Sequence, residues 1–305
     1  MFPEPTMPIT DFKQLIETVR RGPTKRLAVA AAQSEEVLKA VSQAAGLGII
    51  DPILLGDTGR IARIAGRIGV DLSGFRQIDQ GDPIEAAARA VEMVAKGEAD
   101  LLMKGKLSTP DILRLVLEEK WGLRGDRLLS HVAVVKVEGY PKLLIFSDGG
   151  MVIQPDLKQK IDIIRNAIML ANRLGISRPK VALLASLETV HPDIPETLDA
   201  AEIVSMSEKG ELPDAVIEGP LAMDIAVSSR AAQMKGVSSE VSGDVDILIV
   251  PNIASGNIGV KGLVYLTGAQ VGGLILGARR PIVLLSRSDT VQAKLNSIAL
   301  GALCS

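Results

Sequence analysis

One pattern recurs along most of the chain: a short apolar run, a polar or glycine-containing exit, then a segment with apolar residues at helical spacing. That rhythm restricts the chain to an α/β fold, in which helices cover a sheet built mainly from buried strands. The stretch Pro281 to Asn296, PIVLLSRSDTVQAKLN, shows it most sharply. Ile282 to Leu285 reads as a strand and Ser286 to Asp289 as a polar turn. Val291, Leu295 and Ile298 then mark a helix that Ser288 or Asp289 can cap. Open α/β sheets place ligands where a strand empties into a turn and a helix start, because backbone N–H groups and the helix dipole converge there. Ser286, Arg287 and Asp289 therefore share one strand's carboxyl end.

The alternation starts after an amphipathic helix at 10–22. It predicts strands at 26–31, 49–55 and 99–104, and helices at 34–45, 59–68, 83–96 and 111–120. In the middle, strands 131–137 and 142–146 flank Glu138-Gly139-Tyr140-Pro141, a hairpin signal that makes this part antiparallel. Helices at 157–174 and 197–209 follow, with strands at 180–186, 215–218 and 245–250 and a helix through Lys261 to Leu266. Hydrophobic residues make up 47% and aromatics 2%, so the core is aliphatic, as suits helices packed on a sheet.

Several chemistries are excluded at once. HExxH, GxSxG and GxxxxGK[ST] are absent, and His131 and His191 are the only histidines, so zinc hydrolase, serine hydrolase and P-loop readings fall. Gly256, Gly259 and Gly262 lack the dinucleotide-binding spacing. With 34 basic and 36 acidic residues there is no global field for nucleic acid or an anionic membrane. Cys304 is the single cysteine, which removes disulfides and thiolate metal sites. No run suits a membrane span and the N-terminus lacks a signal-peptide profile, so a cytoplasmic protein is expected.

Charged or polar residues recur at the strand exits: Lys104 with Ser108 and Thr109, Asp148 with Asp156, Asp224, Asn257 with Lys261, and Ser286 to Asp289. They either line one cleft or cap helices, and composition does not separate the two readings. Arg287 stands out because a cation at a helix N-terminus opposes the dipole and wants an anion, and its guanidinium can grip phosphate with two hydrogen bonds. Arg124 and Arg127, just ahead of Ser130 and His131, complete a clamp or belong to a solvated loop. His131 is either a catalyst or a half-buried strand residue, and Trp121 is either a packing residue or a stacking platform.

Six segments in order, MKGKLSTPDILRLVL, LSHVAVV, FSDGGMVIQPDLKQKIDIIRNA, EGPLAMDIAV, VPNIASGNIGVKGLVYL and PIVLLSRSDTVQAKLNSIA, resemble the phosphate acetyltransferase and phosphate butyryltransferase family, nearer the butyryl branch. The resemblance spans essentially the whole chain. It implies a two-domain, mixed-sheet α/β fold like the isocitrate and isopropylmalate dehydrogenases, with residues 1–135 plus 277–305 as one domain, 136–276 as the other, and the active site in the interdomain cleft. It also implies a homodimer that transfers a short-chain acyl group between coenzyme A and inorganic phosphate, both substrates, without metal or nucleotide cofactor. On this view Ser286, Arg287 and Asp289 are catalytic. Arg287, Arg124, Arg127, Ser130, His131 and Lys104 hold phosphate, and Gly256, Asn257 and Lys261 hold coenzyme A. The acetyl branch carries its catalytic aspartate where this chain has Ala293, so Asp289 is either a replacement base or a helix cap; Gly149 takes the place of that branch's strand-end cysteine. A phosphate acetyltransferase, a metal- and NAD-dependent hydroxyacid dehydrogenase of the same fold, and a coenzyme A-binding paralogue without turnover are the other readings.

Overall fold

A computed structural model describes residues 7–284, 286 and 288–305. The chain forms two units, one of Phe12–Arg127 with Val271–Ser305, the other of Leu128–Gln270 with residues 7–11. The first begins with α1 (Phe12–Arg20) and continues β1 (Lys25–Ala30), α2 (Glu35–Gly46), β2 (Ile50–Gly56), α3 (Thr58–Ile68), β3 (Arg76–Asp79), α4 (Pro83–Ala95), β4 (Leu101–Lys104) and α5 (Thr109–Leu117). Asp57 and Asp82 cap α3 and α4 through their carboxylates, and Pro83 sits in the first turn of α4, where its missing N–H costs nothing.

The second unit contains β5 (Ser130–Lys136), β6 (Leu144–Ser147), α6 (Leu157–Arg173), β7 (Lys180–Leu184), α7 (Pro195–Glu208), β8 (Val216–Leu221), α8 (Met223–Val227), α9 (Ser229–Met234), β9 (Ile247–Ile249) and α10 (Ile253–Thr267). Its strand order is β5-β6-β9-β7-β8, parallel except for the β5–β6 pair. The hairpin closes where expected, with Tyr140 N–H donating to Val137 C=O at 3.2 Å. Its tyrosine is held by a hydroxyl bond to Val245 C=O at 2.9 Å.

The chain then returns to the first unit through β10 (Gln270–Leu276), β11 (Ile282–Val283) and α11 (Val291–Cys304). The order in that unit is β3-β2-β1-β4-β11-β10. β11 lies parallel to β4, Ile282 opposite Leu102 and Val283 opposite Met103, whereas β10 and β11 are antiparallel. Eleven residues of α11 are buried, from Ala293 to Leu303. Burying a leucine or isoleucine contributes roughly 1.5–3 kcal/mol, so Leu295, Ile298, Leu300 and Leu303 tie the C-terminal segment firmly to this unit.

Several expectations need correction. β3 (RQID) has no apolar run because it is an exposed edge strand, and β10 hides behind two glycines. The antiparallel pairing is thus not confined to the middle hairpin. α10 starts at Ile253, with Asn252 accepting the Ser255 N–H at 3.0 Å, so the helix expected through Lys261 to Leu266 begins earlier and takes in Ser255, Gly256 and Asn257. The strand expected over 282–285 is assigned only at Ile282–Val283.

The exits of β1 and β4 are stitched together. Gly105 N–H bonds Ala30 C=O at 2.8 Å and Lys106 N–H bonds Ala31 C=O at 2.7 Å. A Cβ on Gly105 would overlap the Ala31 carbonyl oxygen, which belongs to the main chain and cannot swing aside. Gly105→Ala is expected to lower unfolding stability by about 2 kcal/mol, read as a shift of the urea midpoint at unchanged slope.

Candidate functional site

In the first unit the exits of β1, β4 and β11 line one pocket of about 490 Å³. Gln33 to Val37 come from the β1–α2 connection, Lys104 to Lys106 from the end of β4, and Ser286 and Lys294 from either side of the turn before α11; Ile64 and Arg67 lie on α3. The fold thereby brings together two sequence-predicted residues, Lys104 and Ser286. Lys104 is 6% exposed, and its ammonium donates to Leu107 C=O at 3.2 Å and Gly105 C=O at 3.4 Å. Ser108 caps α5, accepting the Asp111 N–H at 3.2 Å, so its recurrence at a strand exit has a structural cause.

The polar turn before α11 is organised by Asp289. Its carboxylate accepts the Ser286 N–H at 2.7 Å, while its own N–H donates to Ser286 C=O at 3.2 Å. The Ser286 and Ser288 hydroxyls are hydrogen-bonded at 3.0 Å. Neither Ser288 nor Asp289 caps the helix. Thr290 does, its Oγ1 accepting the Ala293 N–H at 3.1 Å, because Thr290 has the extended backbone of a cap and Asp289 is already turned back to Ser286. Arg287 and Leu285 lie outside the described residues.

Lys294 is not among the residues that the strand-exit pattern points to, although a lone cation inside the apolar run of α11 is an available signal. It is 4% exposed and donates to Asp289 C=O at 2.6 Å and, more weakly, to Ser286 C=O at 3.5 Å. Burial pulls its ammonium below the ordinary lysine value, opposed by the charges of Asp289 and Glu36. Glu36 is held below the usual carboxylate range by its own backbone N–H and the Ser34 hydroxyl, with Lys294 adding to the effect. Gln33, 4% exposed, also lines the pocket, and its Oε1 has no hydrogen-bond partner among the described residues.

Arg124 and Arg127 sit in the same unit on the segment after α5. Leu123 C=O accepts the Arg279 N–H at 3.0 Å, and Gly125 packs so tightly that a Cβ there would overlap the Gly277 carbonyl oxygen. This ties the segment to the returning chain. Arg124 is exposed and Arg127 half-buried.

In the second unit the remaining predicted residues gather around the exit of β6. Asp148, 2% exposed, accepts the His131 N–H at 2.9 Å and, on its other oxygen, the N–H groups of Gly150 and Met151 at 2.7 and 2.8 Å. Gly150 lies against the imidazole, since a Cβ there would be 2.9 Å from His131 Cγ. Ser130 is fully buried, its hydroxyl accepting from Asn166 Nδ2 at 2.8 Å. Gly256 packs backbone to backbone on Gly149, and Asn257 Nδ2 donates to Gly149 C=O at 3.3 Å. Lys261 is exposed one helical turn beyond Asn257 on α10. Asp156 and Asp224 stay apart from this cluster. Asp156 forms a capping box with Gln159, and Asp224 is ion-paired with Lys235 at 3.1 Å. Among the described residues no group of three acidic, histidine or cysteine side chains is arranged to hold a metal.

The family profile described as "Phosphate acetyl/butaryl transferase" matches residues 80–302, which include Lys104, His131, the Gly149–Gly256 contact and the Ser286 turn. A phosphate butyryltransferase from Clostridium acetobutylicum is 44% identical over 97% of this chain and 98% of its own length. A phosphate acetyltransferase from Thermotoga maritima is 40% identical over 95% of this chain and 99% of its own. Among solved structures, a branched-chain phosphotransacylase from Enterococcus faecalis V583 superposes with a TM-score of 0.81 at 30% identity, covering 92% of this chain and 98% of that one. The chain belongs to the phosphate acetyltransferase and phosphate butyryltransferase family of acyltransferases.

The hydrogen bond between Asp289 and Ser286 separates two roles for this carboxylate. Asp289→Asn keeps an oxygen to accept the Ser286 N–H and removes the charge. It is expected to leave the thermal midpoint within about 1 °C, a shift of under ~1 kcal/mol for a chain this long, yet to slow turnover and alter the pH–rate profile. An unchanged profile assigns Asp289 to the turn alone.

Proposed function

We propose that the protein reversibly transfers a short-chain acyl group, butyryl-like in size, between coenzyme A and inorganic phosphate. Its full-length likeness to a phosphate butyryltransferase carries this reading. In one direction a phosphate oxygen attacks the thioester carbonyl and the thiolate leaves; in the other, the thiol loses its proton and attacks the acyl phosphate. A free thiol has a pKa near ~8.5, so a positioned base raises the thiolate fraction, and Asp289 is assigned that role. Arg287, Arg124, Arg127, Lys104, Ser130 and His131 are assigned to the phosphate, where cations offset the charge that builds in the transition state. Gly256, Asn257 and Lys261 are assigned to coenzyme A, and Ser286 to the developing oxyanion. Holding both substrates together makes the transfer direct, with no acyl-enzyme.

The dehydrogenase-like two-domain arrangement, with catalysis between residues 1–135 plus 277–305 and residues 136–276, is part of this proposal. So is residence in the cytoplasm, where coenzyme A and phosphate are available; no helix of the described residues is long and apolar enough to cross a membrane. No metal or nicotinamide takes part. Turnover that requires magnesium or NAD would mark a hydroxyacid dehydrogenase instead, and coenzyme A binding without turnover a non-catalytic relative.

Acetyl-, propionyl-, butyryl- and longer acyl-CoA thioesters, assayed for phosphate-dependent release of coenzyme A, test the reading directly. Butyryl-CoA is expected to give the highest kcat/KM, and an acetyl-CoA maximum would assign the chain to the acetyl branch. In the same assay Arg287→Lys, which keeps charge but loses the planar fork, is expected to lower kcat/KM at least about tenfold, or ~1.4 kcal/mol.

We assign α10 to a homodimer interface. Ile258, Tyr265 and Leu266 on this helix are exposed at 72%, 66% and 86%, and Gly256 is its one buried residue. Beside them is an apolar pocket of about 600 Å³ lined by Phe146, Leu184, Met223 and Val250. An apolar face of this kind on a stable protein calls for a partner. Leu266→Asp is expected to convert a dimer into a monomer in sedimentation velocity; an unchanged wild-type monomer would reject the interface.

A further inference from the structure

Lys294 occupies an unfavourable position. It lies in the first turns of α11, where the helix dipole repels a cation, and its side chain is 4% exposed. Among the described residues no carboxylate lies within ion-pair distance of it; Glu35 is paired with Arg67 at 2.6 Å and Glu36 accepts from the Ser34 hydroxyl at 2.9 Å. What its ammonium does hold is the main chain of the preceding turn, at Asp289 C=O and Ser286 C=O. The two carbonyls bracket the turn. With the Asp289 carboxylate on the Ser286 N–H, they fix both ends of the four-residue segment Ser286 to Asp289.

We propose that Lys294 is a positioning residue for acyl transfer: it clamps the Ser286–Asp289 turn and so sets the geometry in which that turn meets phosphate. The inference rests on the functional reading above for its catalytic consequence, but the clamp itself is a property of the fold. The depressed basicity that burial imposes on this lysine fits a group kept where stability alone disfavours it. Lys104, on the same pocket wall, donates to the carbonyls of its own exit, Gly105 and Leu107. The first turn of α11 offers no acidic side chain, and Lys294 is the charged group of that helix nearest the turn.

The test compares Lys294→Met, similar in length but without donors, with the wild-type protein by hydrogen–deuterium exchange and steady-state kinetics. Amides at 286–290 are expected to exchange about fivefold faster or more in the variant, while peptides from β1 and β4 remain at wild-type rates. With butyryl-CoA and phosphate, kcat is expected to fall about tenfold or more at a KM for acyl-CoA within about twofold of wild type. Lys294→Ala with added ethylammonium is expected to recover part of the lost turnover. A folded Lys294→Met protein with wild-type exchange at 286–290, or with loosened amides but wild-type kcat, overturns the proposal. If Lys294→Met does not fold, Lys294→Gln is measured in the same two ways, and the same outcomes support or overturn the clamp. A wild-type protein inactive on every thioester sinks the functional reading, while exchange at 286–290 still decides the clamp.

Discussion

The insertion of β11 beside β4 is the constraint on which the first unit depends. Two residues, Ile282 and Val283, take the slot next to Leu102 and Met103, and everything downstream follows from that register. Because side chains alternate along a strand, a slip by one residue would turn the apolar pair inside out and carry the Ser286 turn off the pocket. The commitment is made secure by α11, whose buried face is nearly continuous. A short strand that could not stand alone is thus held by the helix that follows it. At the far end, Lys25 donates to the Ser305 carbonyl at 2.9 Å and closes the segment onto β1.

The α/β class and most element boundaries are legible because aliphatic runs and caps speak in local code. Runs like Leu27-Ala28-Val29-Ala30 of β1 announce a buried strand; the signal fails where a strand is polar or interrupted. β3 shows no apolar stripe, and the glycines of β10 mask its apolar C-terminal half. Of the strand exits singled out, those carrying Lys104 and Ser286 do share a pocket. What sequence alone does not reveal is how the polar atoms divide their bonds. Asp289 and Thr290 both suit a cap, and only the fold decides that the threonine caps α11 while the aspartate turns back to Ser286. Lys294 escapes notice for a related reason: a lysine in a helix is ordinarily a solvent-facing residue, and its burial depends on how α11 is enclosed.

The chemistry asks for little beyond placement. Phosphate and a thioester need no redox centre and no covalent relay, so a protein accelerates their exchange by supplying cations, excluding water and fixing angles. In the first unit's pocket Lys104 and Lys294 both donate to main-chain carbonyl oxygens. Hydrogen bonding of this kind removes rotational freedom, and for Lys294 it accompanies a burial that makes the ammonium less basic.

The contact between Gly149 and Gly256 has an evolutionary corollary. Each residue occupies the space where the other's side chain would grow, with ideal Cβ positions 2.9 Å and 2.6 Å from the opposing main chain. Neither site can acquire a new functional group by a single step unless the start of α10 retreats from the end of β6. Descendants of this sequence are therefore steered toward varying the rim and the helix surface, and a lineage that installs a thiol at 149 must first have remodelled the opposite backbone.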